Sequence, residues 1–354
     1  MVTKPLTNRI DWVDYAKGIC IVLVVMMHST LGVEKAAGSI SWLHGFIDWA
    51  RPFRMPDFFM ISGLFLASSI DKPWREYLDS KVFHFLYFYV LWLFLQTMFK
   101  ACLVCGLDGA IDASKVFLTG FIEPFGTLWF IYLLPIFFVT VKALRKVPPF
   151  IMFFAGALLL SARIDTGWLL IDEFASRFVY FYVGFWLAKY IFAFAAEIGA
   201  KPIAAISAGL VIWGFGNYQM VQLGFSVLPG FSLVLGLIGA CAVVSTGVLL
   251  SKFKLAEALR YCGQNSIVIY LSFFLFMATS RTVLLKLLPH FDLGLISLIV
   301  TASGVIGPII LFWLTRNTKL SFLFNRPAWA KLAKTLERWH SPSYVKQLHI
   351  KTHT

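Results

Sequence analysis

The sequence predicts an all-α membrane protein, a polytopic bundle of about ten transmembrane helices with a C-terminal amphipathic tail. Three observations carry this. Apolar residues make up 59% of the 354 and charged residues 14%, more apolar surface than a soluble core of this size buries. The apolar residues fall into runs close to the ~20 residues needed to cross a hydrocarbon core. The basic residues favour alternate connecting segments, as the positive-inside rule requires. In a soluble protein the net charge of +13 would suggest nucleic acid. Here the excess lies in loops and tail, where it sets topology and meets membrane lipids, and no nucleic-acid partner is expected.

The runs lie at 12–32, 53–70, 82–104, 125–144, 149–163, 177–195, 202–219, 229–250, 265–288 and 294–315. The first has no small-x-small cleavage site after it and reads as a retained span. With both termini cytoplasmic, the inside segments hold Lys72, Arg75 and Lys81, then Lys142, Arg145 and Lys146, then Lys252, Lys254 and Arg260, and the basic tail. Inside exceeds outside by more than two to one, so ten spans is self-consistent. Residues 1–315 form one membrane domain, with no internal repeat or low-complexity linker. In the cytoplasmic tail, 316–354, Trp329, Leu332, Leu336 and Trp339 recur at helical spacing, with Lys331, Lys334 and Arg338 on other faces. That is the pattern of an interfacial helix; the alternative is a basic tail that only anchors topology. The five cysteines are odd in number and form no disulfide framework, and Cys102 and Cys105 read as packing residues.

The candidate chemistry begins in the first run, with Asp14, Lys17 and His28. Eleven helical residues rise about 16 Å and rotate about 20° beyond three turns, so Lys17 and His28 share a face. An ionisable residue inside a span is a functional candidate by default. The alternatives are a packing histidine and a snorkelling lysine. Arg51-Pro-Phe-Arg54-Met-Pro56-Asp57 opens the second run with two prolines around two arginines, which predicts a broken or re-entrant entry. Arginine is a preorganised donor for carboxylates, phosphates and oxyanions. A structural Arg54–Asp57 ion pair is the alternative. Lys81 and His84 stand one turn apart and, with Lys17, could form a basic mouth for a phosphorylated ligand. Trp129 opens the fourth run, where an interfacial aromatic is the bland reading. Asn265 and Ser266 are expected to cap the ninth, which carries Tyr270. No HExxH, P-loop, dinucleotide fingerprint, G-x-S-x-G elbow or cluster of metal ligands is present, so no metal or bound cofactor is expected.

Asp14-Tyr-Ala-Lys17 through His28 resembles the first helix of the acyltransferase-3 family of integral membrane O-acyltransferases, and Phe53-Arg-Met-Pro56-Asp-Phe-Phe-Met-Ile-Ser62-Gly63 resembles its second block. Leu128-Trp129-Phe130, Tyr180-Phe-Tyr-Val-Gly184 and Leu259 to Leu271 are similar to later blocks; the opening also resembles the fucose 4-O-acetylase-like branch. The resemblance implies a ten-helix bundle in a bacterial cytoplasmic (inner) membrane. It also implies O-acetylation or related acyl transfer, from cytoplasmic acyl-CoA, foremost acetyl-CoA, to a hydroxyl of an extracytoplasmic sugar, polysaccharide or lipid-linked glycan. The family's first-helix pair of basic residue and histidine falls on Lys17 and His28. Its paired arginines at the third helix are matched only by Lys81 and His84, and Thr127 and Phe273 stand where many members carry further histidines.

Residues and resemblance together give His28 as general base, Arg54 or Arg51 at the developing oxyanion or acceptor, and Lys17 at the CoA phosphates. Asp14, Asp57, Lys81, Trp129 and Tyr270 complete the candidate substrate-binding set. Two other readings share the composition: a transporter of a lipid-linked sugar or small organic anion, against which the missing repeats count, and a non-catalytic membrane subunit. The topology is directly testable. Reporter fusions after Lys146 and Lys254 should report cytoplasm and fusions at Asp112 and Asp172 the outside; a cytoplasmic signal at Asp172 overturns the count.

Overall fold

The first long helix, α1 (Asp11–Ala37), is the post around which the chain is wound. Its apolar residues cover every face, so it is a helix that must be buried all round, and it packs against helices from both ends of the chain. The computed structural model describes residues 9–104, 107–124 and 126–332. Among these, the helices after α1 are α2 (Leu43–Leu64), the short α3 (Trp74–Leu78), a π-helical turn (Asp79–Phe83), α4 (His84–Val104) and α5 (Leu107–Thr119). A 3-10 turn (Gly126–Leu128) leads into α6 (Trp129–Ala143), followed by α7 (Pro149–Ser161), α8 (Leu169–Trp186), α9 (Ala188–Ala200) and α10 (Ile203–Gln222). The last third holds α11 (Phe231–Phe253), α12 (Glu257–Gln264), α13 (Ser266–Leu287) and α14 (Leu293–Thr315). The described residues contain no strand.

Six stretches among the described residues are long and apolar enough to cross a membrane: α1, the Trp74–Ala101 stretch ending in α4, α6 with its 3-10 turn, α11, α13 and α14. A seventh is gained if α8 and α9 count as one span bent by 73°. The other expected spans fall on α2, α7 and α10. α7 has 13 residues, α10 carries Asn217, Gln219 and Gln222 in its last turns, and α2 carries Asp48, Arg51, Arg54 and Asp57.

α2 corrects the expectation of a broken segment entering at residue 53. It is one continuous helix that starts ten residues earlier and runs through Pro52 and Pro56. Near the first proline, side chains attend to backbone carbonyls: Asn217 Nδ2 donates to Trp49 O at 2.8 Å and Arg54 Nη1 to Ile47 O at 3.3 Å. Neighbouring groups of this kind are what lets a membrane helix tolerate proline. Arg54 and Asp57 are buried against protein, on the helix that packs against α1, α8 and α11, while Arg51 is exposed.

The ends of α1 are tied by charge. Asp11 and Asp14 sit in its first turn, where the helix dipole favours acids. Arg260 of α12 pairs with Asp11 at 3.0 Å and with Glu257 at 2.5 Å, and Tyr15 donates to Glu257 at 3.1 Å. At the far end Gly38 takes the left-handed conformation that closes the helix, and its N–H bonds to Glu34 O at 2.8 Å. The buried Glu34 carboxylate accepts from the Ser41 amide at 2.9 Å and hydroxyl at 2.8 Å, and His44 Nδ1 lies 2.7 Å away. That cluster fixes the turn into α2.

The expected Asn265 cap is not made. Its amide donates back to Tyr261 O at 2.9 Å, and no side chain caps α13. Beyond α14 the chain runs back along α4: Trp92 donates to Leu323 O and Tyr87 to Phe322 O, each at 3.0 Å. Arg326 pairs with Asp79 of the π-helical turn, and the Leu332 amide donates to the same carboxylate at 2.8 Å. Cys105 of the cysteine pair, and the Leu336 and Trp339 half of the tail pattern, lie outside the described residues.

Close backbone crossings set the helix spacing. Gly63 of α2 faces the Phe181 carbonyl of α8, and Gly184 of α8 faces the Met60 carbonyl of α2, with no room for a methyl at either. Gly184→Ala should therefore lower stability by about 1–3 kcal/mol or more, read as a lower Tm of the detergent-purified protein. Gly209→Ala, with nothing within 4 Å of the added carbon, should leave Tm unchanged or slightly raised.

Candidate active site

The α2–α8 crossing and α1 bring five helices to the wall of one cavity of about 200 Å³. α1 supplies His28, α2 supplies Arg54, α8 supplies Glu173 and Arg177, and α13 supplies Tyr270, while Thr127 comes from the 3-10 turn before α6 and Trp129 is the first residue of α6.

Each side chain has a definite seat. The His28 ring lies 5.5 Å from that of Phe273. Arg54 is buried, its one hydrogen bond reaches the Ile47 carbonyl, and its Nε has no partner. Arg177 Nε donates to Glu173 at 2.9 Å, an i,i+4 pair on one face of α8. The Tyr270 hydroxyl donates to the Thr127 carbonyl and accepts from the Phe130 amide at 3.1 Å. It thereby serves the first turn of α6, whose amides have no intrahelical partner. The Thr127 hydroxyl is buried on the wall and unpartnered. The wall thus carries two guanidinium groups, one carboxylate and an imidazole.

The remaining sequence candidates lie elsewhere. Arg51 is exposed and paired with Asp48, which separates it from Arg54. Asp57 is fully buried, both its oxygens lack partners and no ion pair with Arg54 forms; it is within electrostatic reach of Cys20 and Cys241. Lys17 sits 5.5 Å over the Phe65 ring and Lys81 5.0 Å over Phe138, so each has its own aromatic seat. Asp14 is buried where α1 meets α12, its backbone carbonyl against Gly263. His84 packs on Phe85 and Phe88. The sequence reading singles out neither Glu173 nor Arg177. The signal available was their i,i+4 spacing at the head of an apolar run. A second cavity, of about 280 Å³, lies among α6, α7 and α8; its lining is apolar apart from Arg145 and Tyr182 and brings no such groups together.

A helical bundle with membrane-length spans and, between its helices, a cavity whose wall brings a histidine, two arginines and a glutamate together defines a membrane protein with a site set among its helices. A family model for an acyltransferase domain matches residues 10–315, and the chain belongs to that family, acyltransferase-3, whose activity is acyl transfer. The inner membrane protein YcfT of Escherichia coli (strain K12) is 24% identical over 289 residues, covering 73% of this chain and 77% of that protein. No solved structure matches the chain.

Tyr270→Phe tests the joint between α13 and α6. It removes a buried hydroxyl bonded on both sides and leaves the Phe130 amide bare, at a cost of about 1–3 kcal/mol. The expected result is a lower Tm with the protein still inserted in membranes; an unchanged Tm would show that the hydroxyl is dispensable.

Proposed function

We propose that this protein is a membrane O-acyltransferase moving an acyl group, foremost acetyl, from cytoplasmic acyl-CoA to a hydroxyl of an extracytoplasmic sugar, polysaccharide or lipid-linked glycan. The observation that carries the reading is the convergence of His28 and Arg54 on one cavity inside a chain of this family.

The chemistry follows from those groups. A neutral imidazole is matched to taking the acceptor hydroxyl proton near pH 7. The oxygen then attacks the thioester carbonyl, a C–O bond forms, the C–S bond breaks, and the leaving CoA sulfur takes the proton back from the ring. The Arg54 guanidinium holds the acceptor or the charge developing on the carbonyl oxygen. Trp129 supplies an aromatic wall of the kind sugars stack on, and Tyr270 keeps that wall in place through α6. Lys17 meets the CoA phosphates at the cytoplasmic end of α1, with Lys81 as a second cation for the donor. The ten-span reading adds α2, α7, the bent α8–α9 pair and α10 to the six stretches named above, with both termini cytoplasmic in a bacterial inner membrane.

The test is incubation of membranes with radioactive acyl-CoA followed by separation of the glycans. Label on glycan is expected. Uptake of a sugar or anion without label would favour the transporter reading. His28→Gln fills the same space but takes no proton. It should retain wild-type membrane levels and lose transfer by about 10²–10⁴-fold. Near-wild-type transfer by His28→Gln would make His28 a packing residue.

A further inference from the structure

We propose that the cavity binds a substrate carrying a carboxylate or phosphate, held by the Arg54 guanidinium beside His28. The inference rests on the acyl-transfer reading above and names a chemical feature of its substrate.

Arg54 is a permanent cation. It is 8% exposed, and its hydrogen bonding amounts to the 3.3 Å bond to the Ile47 carbonyl, with Nε unpartnered. No carboxylate near it pairs with it. Glu173 pairs with Arg177 at 2.9 Å, Asp48 pairs with Arg51, and Asp57 forms no ion pair. The cavity wall therefore carries one guanidinium in excess of its carboxylates. An uncompensated buried charge is strongly destabilising, and the guanidinium fork is shaped to bind carboxylate or phosphate through two parallel hydrogen bonds. Thr127, whose buried hydroxyl is unpartnered, lines the same space. An oxyanion in the transition state would answer this excess only fleetingly. A substrate anion answers it for as long as substrate is bound.

The anion has two possible sources. It could belong to the acceptor, as in a uronic acid or a sugar phosphate. It could instead be the free carboxylate of a dicarboxylic acyl group. Both place the same chemistry on Arg54, and simple probes separate them. The Tm of the full-length protein in detergent is measured with glucuronate or glucose 6-phosphate against glucose, and with monomethyl succinate against dimethyl succinate, at matched ionic strength. The expected result is a rise of about 2–4 °C with the anionic member of one pair and none with its neutral counterpart. A response to the sugar anions assigns the charge to the acceptor, and a response to monomethyl succinate assigns it to the acyl group.

Arg54→Gln should abolish the rise, Arg54→Lys should reduce it, and Arg316→Gln, which removes an exposed charge at the end of α14, should leave it intact. If Arg54→Gln does not fold, the anion-against-neutral contrast in the wild type still decides. No anion-specific rise, or an equal rise in Arg54→Gln, overturns the proposal. Loss of transfer in Arg54→Gln without any anion effect would also overturn it, assigning Arg54 to the oxyanion alone and leaving the acyl-transfer reading standing. The His28→Gln transfer assay tests that reading separately, because binding of these probes requires no proton transfer.

Discussion

A guanidinium that cannot lose its charge, placed in a helix enclosed by other helices, is the constraint on which the rest of this structure depends. Arg54 would be intolerable against lipid. It is tolerable because α2 is sheathed by α1, α8 and α11, and because the face that carries it opens on a cavity shared with His28, Glu173 and Arg177. The close crossing of α2 and α8 at Gly63 and Gly184 makes that arrangement possible. With side chains at those two positions the helices would stand further apart, and Arg54 would no longer share a wall with Glu173 and Arg177. The Tyr270 hydroxyl anchors the start of α6 to α13 and so fixes the opposite wall.

Much of this was legible in the sequence, and the illegible part has physical reasons. Helices such as α1, α11, α13 and α14 are uniformly apolar, and hydropathy finds them. α2 defeats the same rule because hydropathy tests a helix against lipid, while its Arg54 and Asp57 are buried against protein. The prolines reinforced the misreading, since sequence does not reveal the side chains of α10 and α2 that attend to carbonyls near Pro52. His28 stood out because a histidine far inside an apolar run is rare. Arg54 could not be told from Arg51 three residues away; burial in the cavity wall and pairing with Asp48 separate them only in three dimensions. The helical count puts Lys17 and His28 on one face about 16 Å apart along it, and they have different surroundings, Lys17 over Phe65 and His28 beside Phe273. Glu173 and Arg177 were least visible, because a charged pair at the head of a span looks like a topology signal until the neighbouring helix is known.

The π-helical turn at Asp79–Phe83 is another feature whose meaning lies outside its local sequence. Such turns insert an extra residue and re-aim the side chains around them. Here the turn presents the Asp79 carboxylate to Arg326 and to the Leu332 amide, and it carries Lys81 on the face packed against Phe138 of α6. The segment after α14 is thereby fastened to the start of α4, so the described residues furthest from α1 in sequence help to hold an early helix in register.

The burial of α1 among the last helices gives the molecule a timetable. Asp11 is 249 residues ahead of the Arg260 that pairs with it. At ordinary synthesis rates of about 5–20 residues per second, roughly 12–50 s separate the two on the ribosome. During that interval α1 and α2 are already made while half of their sheath does not exist, and the ionisable groups of both must be shielded by lipid headgroups, water or an insertion partner. The bundle cannot be completed from the N-terminus inward. It closes around its oldest helix only when the newest ones arrive, and a chain arrested before α11 would leave its most polar interior facing the membrane.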